Sequence, residues 1–172
     1  NNKLYKTNIN ETSIINDLNY ESINFFSKNG LKNKYKILLK NVSSTGKNSI
    51  KYKERVQSDL STAFIFDTMF PLEKENNQYR ELLTPKISFR FNPTQMKNYR
   101  SNSSRLDTSN LFSSNRIGMS DTLESGRSLT LGIDYENKKR DITNNAHEDF
   151  LKFELGTVLR DKKEENIPEN ST

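Results

Sequence analysis

The 172-residue chain contains no cysteine and no tryptophan, and it has a single histidine. These absences exclude disulfides, thiolate chemistry and any metal cluster built from cysteine and histidine. No apolar run approaches the roughly 20 residues that a transmembrane helix needs, so helical membrane spans are excluded as well. The chain opens on NNKLYKTNINETS, without an initiator methionine or apolar signal segment, and ends on ENIPENST. We therefore expect residues 1–172 to be a partial domain, an interior fragment of a longer chain.

Hydrophobic residues are also scarce. They make up 31% of the chain, and the mean hydropathy is −0.90. A soluble domain of this composition would have a thin core, and partial disorder is the ordinary interpretation. A membrane β-barrel offers a second interpretation, because its strands need only one apolar face while the other lines a wet interior. Low hydropathy therefore does not exclude a membrane β-barrel.

The charge balance narrows the function classes. A net charge of +5 suggests anionic partners in general. However, 22 acidic residues are interspersed with 27 basic ones, and neither an RNA-binding aromatic signature nor a zinc-finger spacing is present, so no nucleic-acid partner is expected. No carboxylate pair, nucleophile–base spacing or phosphate-binding glycine loop is visible. We predict a non-enzyme with no catalytic residue, no metal site and no cofactor, and an exposed loop position for His147.

What the chain does contain is a series of segments in which apolar and polar residues alternate. In Leu31–Asn41, apolar side chains fall on one face and lysines on the other, whereas a helix would scatter these lysines around its circumference. Six strands are predicted by this pattern: Thr12–Tyr20, Leu31–Asn41, Asp59–Phe70, Lys86–Phe91 (of bilayer-crossing length only if it begins near Leu82), Ser128–Glu136 and Leu151–Arg160. Most are long enough to cross a bilayer when tilted, which takes about 9–11 residues.

The connections between these strands differ in length. Ser22–Gly30 and Leu72–Tyr79 are shorter, Val42–Gln57 and Asn92–Arg127 are longer, and Asn137–Asp149 is intermediate. Outer-membrane barrels combine short turns with long loops. The predicted fold is all-β: an antiparallel wall section, about six strands of a larger transmembrane β-barrel, with a long polar loop at about 92–127. A soluble β-sandwich would show the same alternation and stays an alternative.

Basic side chains recur on the polar face of the predicted strands. The candidate lumen-facing cations are Lys32, Lys34, Lys36, Lys40, Lys86, Arg90, Lys152 and Arg160. In a confined conduit such a wall would attract phosphorylated sugars, because charges focus the potential there. The alternative is a solvated strand face of any β protein.

The run from Asp107 to Glu136 has a more specific pattern, in which a polar, turn-rich segment leads into an alternating strand. Its motif residues are Asp107, Asn110, Leu111, Phe112, Asn115, Arg116, Asp121 and Glu124. This run resembles the barrel region of the LptD family of lipopolysaccharide-assembly proteins. Further landmarks of the family follow in the right order: Phe70-Pro71-Leu72, Leu83-Thr84-Pro85-Lys86, Leu155-Gly156 and Arg160. Agreement is best from Gln57 to Arg160.

The chain departs from the family pattern at two positions within this loop. Where the family usually has a glycine shortly after Asn-Arg, this chain has Met119, with Gly118 one position earlier. Where an arginine often follows the aspartate, it has Thr122. Any turn geometry or charge pairing that depends on those two family residues is not carried over to this chain.

The resemblance implies a translocon in the cell outer membrane that assembles lipopolysaccharide into the outer leaflet without chemical change. Implied partners are lipopolysaccharide, a plug lipoprotein of the LptE kind, the periplasmic Lpt bridge and outer-membrane lipid. The motif loop would be a scaffold anchored by Leu111 and Phe112, with Arg116 paired to Asp121 or Glu124; direct contact with substrate is the alternative. The competing functions are another outer-membrane barrel, such as a porin or receptor, and a soluble basic β-domain that binds an anionic partner.

Overall fold

The protein is an antiparallel β-sheet. The computed structural model describes residues 8–49, 52–76, 78–141 and 146–171, and for 140, 141, 146, 147 and 170 it describes the backbone alone. The strands are β1 (Asn10–Glu21), β2 (Phe25–Phe26), β3 (Lys32–Lys47), β4 (Gln57–Met69), β5 (Leu72–Glu75), β6 (Tyr79–Asn92), β7 (Gly126–Asp141) and β8 (Ala146–Arg160). The helical content of these residues is a short 3-10 turn at Glu169–Ser171, and none of them belongs to a helix able to span a membrane.

The sheet is an open meander with the long strands in the order β1-β3-β4-β6-β7-β8. The short strand β2 follows β1 and pairs with the same neighbour, β3. In the same way, β5 follows β4 and pairs with β6. Because consecutive long strands run antiparallel, all connections alternate between two ends of the sheet. Residues 48–49, 52–56, 93–125 and 161–171 lie at one end, the long-loop end, and shorter connections lie at the other, which is the asymmetry of outer-membrane barrels.

The two faces of the sheet differ sharply in polarity. One face, the apolar face, exposes large side chains in every long strand, including Leu18, Leu60, Ile87, Ile133 and Leu155. The opposite face, the polar face, carries lysine, arginine, aspartate, glutamate and serine side chains in directly paired positions. A soluble sheet would bury its apolar face, whereas a barrel wall turns that face toward lipid.

The six predicted strands are confirmed, but several predicted connections are wrong. The predicted connection Val42–Gln57 begins within β3, which continues to Lys47. The predicted connection Asn137–Asp149 is occupied by the ends of β7 and β8, which pair there through a bulge at Asn137 and Lys138; only residues 142–145, outside the described part of the chain, remain between them. His147, predicted to lie in a loop, therefore belongs to β8, opposite Arg140. Polar side chains on both faces hid these strand ends, since backbone pairing needs no apolar residue.

The strands are staggered relative to one another. β4 pairs with β6 only over Phe64–Met69, because the β3–β4 hairpin is displaced toward the long-loop end. Tilted, staggered strands are a geometric requirement for closing a barrel. β4 and β5 both pair with β6, and this pairing is interrupted between them at Pro71, which lacks an amide hydrogen. The register with β6 is the same on both sides of Pro71.

Aromatic side chains gather at the short-turn end of the sheet. The Tyr20 and Tyr35 rings lie 5.9 Å apart and the Phe25 and Tyr35 rings 6.4 Å apart, measured between centroids. Across the sheet, Tyr79 and Phe150 form a separate pair at 6.1 Å. Outer-membrane barrels carry aromatic girdles where the wall leaves the bilayer core, and the rings at this end have the placement of such a girdle.

Residues 93–125, hereafter the docked loop, fold back over the polar face and pack with the segment after β8. Their shared core contains Met96, Ile117, Met119 and Ile167. The Tyr99 amide donates to the Asn166 carbonyl at 2.8 Å, and the Glu169 amide donates to the Arg100 carbonyl at 3.1 Å. The docked loop is therefore a folded element that shares a small core with the segment after β8.

Candidate functional site: a loop docked on the polar face

Basic and amide side chains of the sheet hold the docked loop by its backbone. The Arg90 guanidinium donates to the carbonyls of Ser113 and Ser114 at 2.7 and 2.8 Å. The Lys40 ammonium donates to the Ser120 carbonyl at 2.7 Å. Each of these donors satisfies carbonyls that the loop removes from water, which would otherwise cost free energy. The loop path is thus fixed by strands β3 and β6.

The centre of the contact is a buried ion pair between Arg116 and Glu124. The guanidinium donates to both carboxylate oxygens, at 2.5 and 2.6 Å, and both side chains are about 2% exposed or less. Two further N–H groups of Arg116 donate to the hydroxyls of Thr130 and Ser128 on β7, each at 2.8 Å. Arg160 of β8 adds a contact to the same carboxylate at 3.1 Å. Bidentate geometry and complete hydrogen bonding are what make a buried ion pair tolerable.

The electrostatics of Glu124 follow from this arrangement. Burial raises the pKa of its carboxyl, but the hydrogen bond and positive charge of Arg116, together with Arg160 and Arg90, lower the pKa by more. The net pKa lies below the ordinary glutamate value. Glu124 is therefore ionised at neutral pH and provides the negative charge among three arginines.

Two glycines form an apolar seat beside the ion pair. Gly132 of β7 pairs directly with Gly156 of β8 on the polar face. A Cβ atom at Gly132 would meet the Phe112 ring at 2.6 Å, and one at Gly156 would meet a Leu111 methyl at 2.6 Å. The Lys86 ammonium lies 5.1 Å from the centroid of the Phe112 ring. Leu111 and Phe112 therefore pack onto bare backbone, which only glycine provides.

The start of the motif is a polar turn. The Asp107 carboxylate accepts from the Ser109 amide at 2.9 Å and from the Ser109 hydroxyl at 2.5 Å, and these contacts lower the pKa of Asp107. The Asn110 side-chain amide donates to the Arg105 carbonyl at 2.8 Å. Further along, the Asn115 amide donates to the Met119 carbonyl at 2.8 Å. These short polar side chains shape the backbone locally, as Asx turns do.

The two departures from the family pattern have defined places. Gly118 has a φ of 72°, the left-handed region that favours glycine, so the chain makes its turn at this position. Met119 packs in the core shared with Ile167. The Thr122 hydroxyl, buried, accepts from the Lys97 amide at 3.0 Å.

Asp121 does not join the arginine cluster but holds another part of the loop. Its carboxylate accepts from the Tyr99 hydroxyl and from the Lys97 ammonium, the latter at 3.3 Å. Burial and this hydrogen bond raise the pKa of Tyr99. Of the two acids considered as partners for Arg116, the structure pairs it with Glu124.

Comparison with known protein families gives a match over most of the chain. The sequence profile described as LptD, LPS transport system D, covers residues 19–172. The chain belongs to the LPS transport system D family. Neither a curated protein nor a solved structure matches it significantly. Proteins of this family reside in the cell outer membrane and assemble lipopolysaccharide there as non-catalytic transport proteins, so the porin, receptor and soluble-domain alternatives are set aside.

The predicted cations all lie on the polar face, but most have acidic neighbours. Lys36 contacts Asp67 at 3.0 Å, and Lys40 contacts Asp17 at 2.6 Å. Four further cations on this face pair with acids in the same way: Lys34 with Glu21, Lys86 with Asp134, Lys152 with Glu154, and Arg160 with Glu124. Arg90 binds loop carbonyls instead. Lys32 lines a cleft of about 230 Å³ on this face with Lys34, Lys36 and Lys86.

Several residues that organise the LptD loop were not identified from the sequence. Asn92 donates to the Glu124 carbonyl at 2.9 Å and is almost fully buried, as are Ser128 and Thr130. Ser128 and Thr130 were recognised only as the polar positions of a strand. The sequence signal for them was the pair of small polar residues Ser128 and Thr130 on the strand after the arginine motif. Small side chains at these positions leave room for a guanidinium, whereas long ones would not.

Proposed function

We propose that this chain is a wall section of a lipopolysaccharide translocon barrel and that its docked loop is a fixed scaffold on the lumen side. The observation that carries this proposal is the Arg116–Glu124 pair, which ties the loop to β7 and β8. Two oppositely charged groups at this depth are stable only while both remain in place. A loop held in this way keeps a constant shape while substrate passes.

The direction of the motif side chains supports a scaffold over direct substrate contact. Leu111, Arg116, Asp121 and Glu124 are all buried against the protein. Asp107 is exposed, but its carboxylate accepts hydrogen bonds from its own turn. The substrate would instead meet the outer surface of the loop and the uncovered part of the polar face.

The charges of the polar face support a mixed lining. Because Lys36, Lys40 and Lys86 have carboxylate neighbours, the wall would present alternating signs to a phosphorylated sugar. Such a lining binds anions weakly at many points, and weak, repeated contact suits a conduit. Among the cations that pair with acids, Lys34 and Lys152 have the most exposed side chains.

The orientation of the sheet supports a proposal about the partners. Short turns of outer-membrane barrels face the periplasm and long loops face outward. The periplasmic bridge would therefore deliver lipopolysaccharide at the short-turn end, and a plug lipoprotein of the LptE kind would occupy the part of the lumen that the docked loop leaves free. The accessible lysines at that end are the positions where such a partner would contact this wall.

Two variants of the complete protein test the scaffold role: Arg116→Ala, and Leu111→Ser combined with Phe112→Ser. Both should impair barrel assembly or outer-membrane integrity, measured by heat-modifiable mobility of the folded barrel and by sensitivity to large antibiotics. Val56→Ser removes an exposed apolar residue from another loop at the same end and is the matched control. Normal folding and normal lipopolysaccharide export in both variants would overturn the proposal.

A further inference from the structure

The apolar face carries a groove directly behind the glycine seat. It has a volume of about 470 Å³ and is lined by side chains of β6, β7 and β8: Pro85, Ile87, Leu131, Ile133, Leu155 and Thr157. Gly132 and Gly156 contribute backbone to its floor. We propose that this groove seats one acyl chain of an outer-membrane lipid. The inference is independent of the loop's role as a scaffold.

The position of the groove on the apolar face indicates which kind of ligand fills it. It is continuous with the apolar face, where Ile87, Ile133 and Leu155 are 43–57% exposed. The family resides in the outer membrane, and in a barrel wall this face borders the hydrocarbon. A groove in that face is filled by whatever the bilayer core supplies, and the bilayer core supplies acyl chains.

The chemistry of the lining argues against a peptide. Both edges of β7, the strand at the centre of the groove, are already paired with β6 and β8, for example Ile87 with Leu131 and Leu131 with Thr157. A peptide lying across this face would reach no unpaired backbone group of β7, and its own amide groups would have no partners there. The Lys86 ammonium lies on the opposite face, where it contacts Asp134. An unbranched hydrocarbon demands none of these polar contacts.

The groove lies where the wall is thinnest. At Gly132 and Gly156 the sheet has no side chains on the polar face, and Leu111 and Phe112 fill that space. An acyl chain on the other side would pack against the same stretch of backbone. Lipid and loop then enclose one glycine pair from opposite faces, and the loop side chains make the contacts that glycine side chains cannot make on the polar face.

Filling the groove tests the proposal in the complete protein. Thr157→Phe places a ring in it, whereas Thr62→Phe places the same ring on the apolar face of β4, outside it. Native mass spectrometry of the protein with co-purified lipids should show the most strongly retained lipid reduced several-fold in Thr157→Phe and unchanged in Thr62→Phe. Equal retention in the two variants, or a bound polypeptide in place of lipid, would overturn it.

A measurement on the unmodified protein keeps the test independent of variant folding. The protein is reconstituted with a phospholipid that carries a diazirine at mid-chain, and the labelled peptides are mapped after irradiation. Labelling of Leu131, Leu155 and Thr157 should exceed labelling of Leu60 and Thr62 several-fold. Uniform labelling along the apolar face would show that lipid contacts this wall without a preferred seat, and the proposal would be wrong.

Discussion

Gly132 lies directly opposite Gly156 in the ladder between β7 and β8, and each supports one residue of the Leu111-Phe112 pair. Glycine weakens an isolated strand, because it loses more conformational freedom than other residues and contributes no side chain. Here two glycines on neighbouring strands create a flat patch of backbone on an otherwise crowded polar face. That patch allows the apolar side chains of Leu111 and Phe112 to pack on the sheet among charged neighbours.

Gly132→Ala should weaken the docking of the loop by about 1–3 kcal/mol, since the new methyl group overlaps the Phe112 ring. Combining it with Phe112→Leu should recover part of that loss, because the smaller side chain vacates the contact. Hydrogen exchange of the docked loop measures both effects. Gly126→Ala is not a suitable control because Gly126 has a φ of 84°; Thr84→Ala, on the same face of β6, is used instead. Additive losses in the double variant would contradict the contact.

The strands of this protein are predictable because successive side chains of a strand point to opposite faces of the sheet, which leaves an alternating pattern in the sequence. Their ends were not, since Val42–Lys47 and Asn137–Asp141 are polar on both faces or carry no clear alternation. The motif residues of the loop could also be named. The choice of Glu124 over Asp121 for Arg116 could not, because it depends on where the loop lies over β7 and β8. Partner choice is a long-range property that spacing alone does not contain.

Arg116→Ala should destabilise the docked loop by about 3–5 kcal/mol, because it leaves Glu124 buried with Arg160 as its remaining ion-pair partner. Arg116→Lys should destabilise the loop by less than Arg116→Ala does. It should still destabilise it, since an ammonium cannot donate to both carboxylate oxygens, Ser128 and Thr130 at once. Limited proteolysis of the loop in folded protein provides the measurement. Arg127→Ala, which removes an exposed pair with Asp161, should have little effect. Equal protease sensitivity of the Arg116 and Arg127 variants would refute a central role for the buried pair.

Lys40→Met should loosen the middle of the loop. The Lys40 ammonium is the donor to the Ser120 carbonyl, and the side chain is only 5% exposed. Methionine keeps the volume but leaves that carbonyl without this donor, at a cost of about 1–3 kcal/mol. Faster exchange of amides in 117–123 is expected, with no such change for Lys34→Met, whose partner Glu21 is at the sheet surface. Unaltered exchange in Lys40→Met would show that the contact does not hold the loop.

Acidification should release the docked loop through Glu124. Its pKa in the folded protein lies below the ordinary value of about 4.3. A lowered folded-state pKa means that the stabilisation is fully present above the ordinary value and is lost as the pH falls through the folded one. Loop proteolysis or hydrogen exchange between pH 7 and pH 3 should therefore show protection that declines below about pH 4.3.

Glu124→Gln separates this titration from general acid unfolding. The amide cannot ionise, so the variant should dock more weakly at pH 7, with three arginines around a neutral group, and should lose the Glu124-dependent step at low pH. Asp107→Asn changes an exposed carboxyl of the same loop and should keep that step. An identical pH profile in the unmodified protein and in Glu124→Gln would mean that another carboxylate controls the release. Because Arg116 and Arg160 both act on this one carboxylate, its protonation should free both arginines together and not one contact at a time.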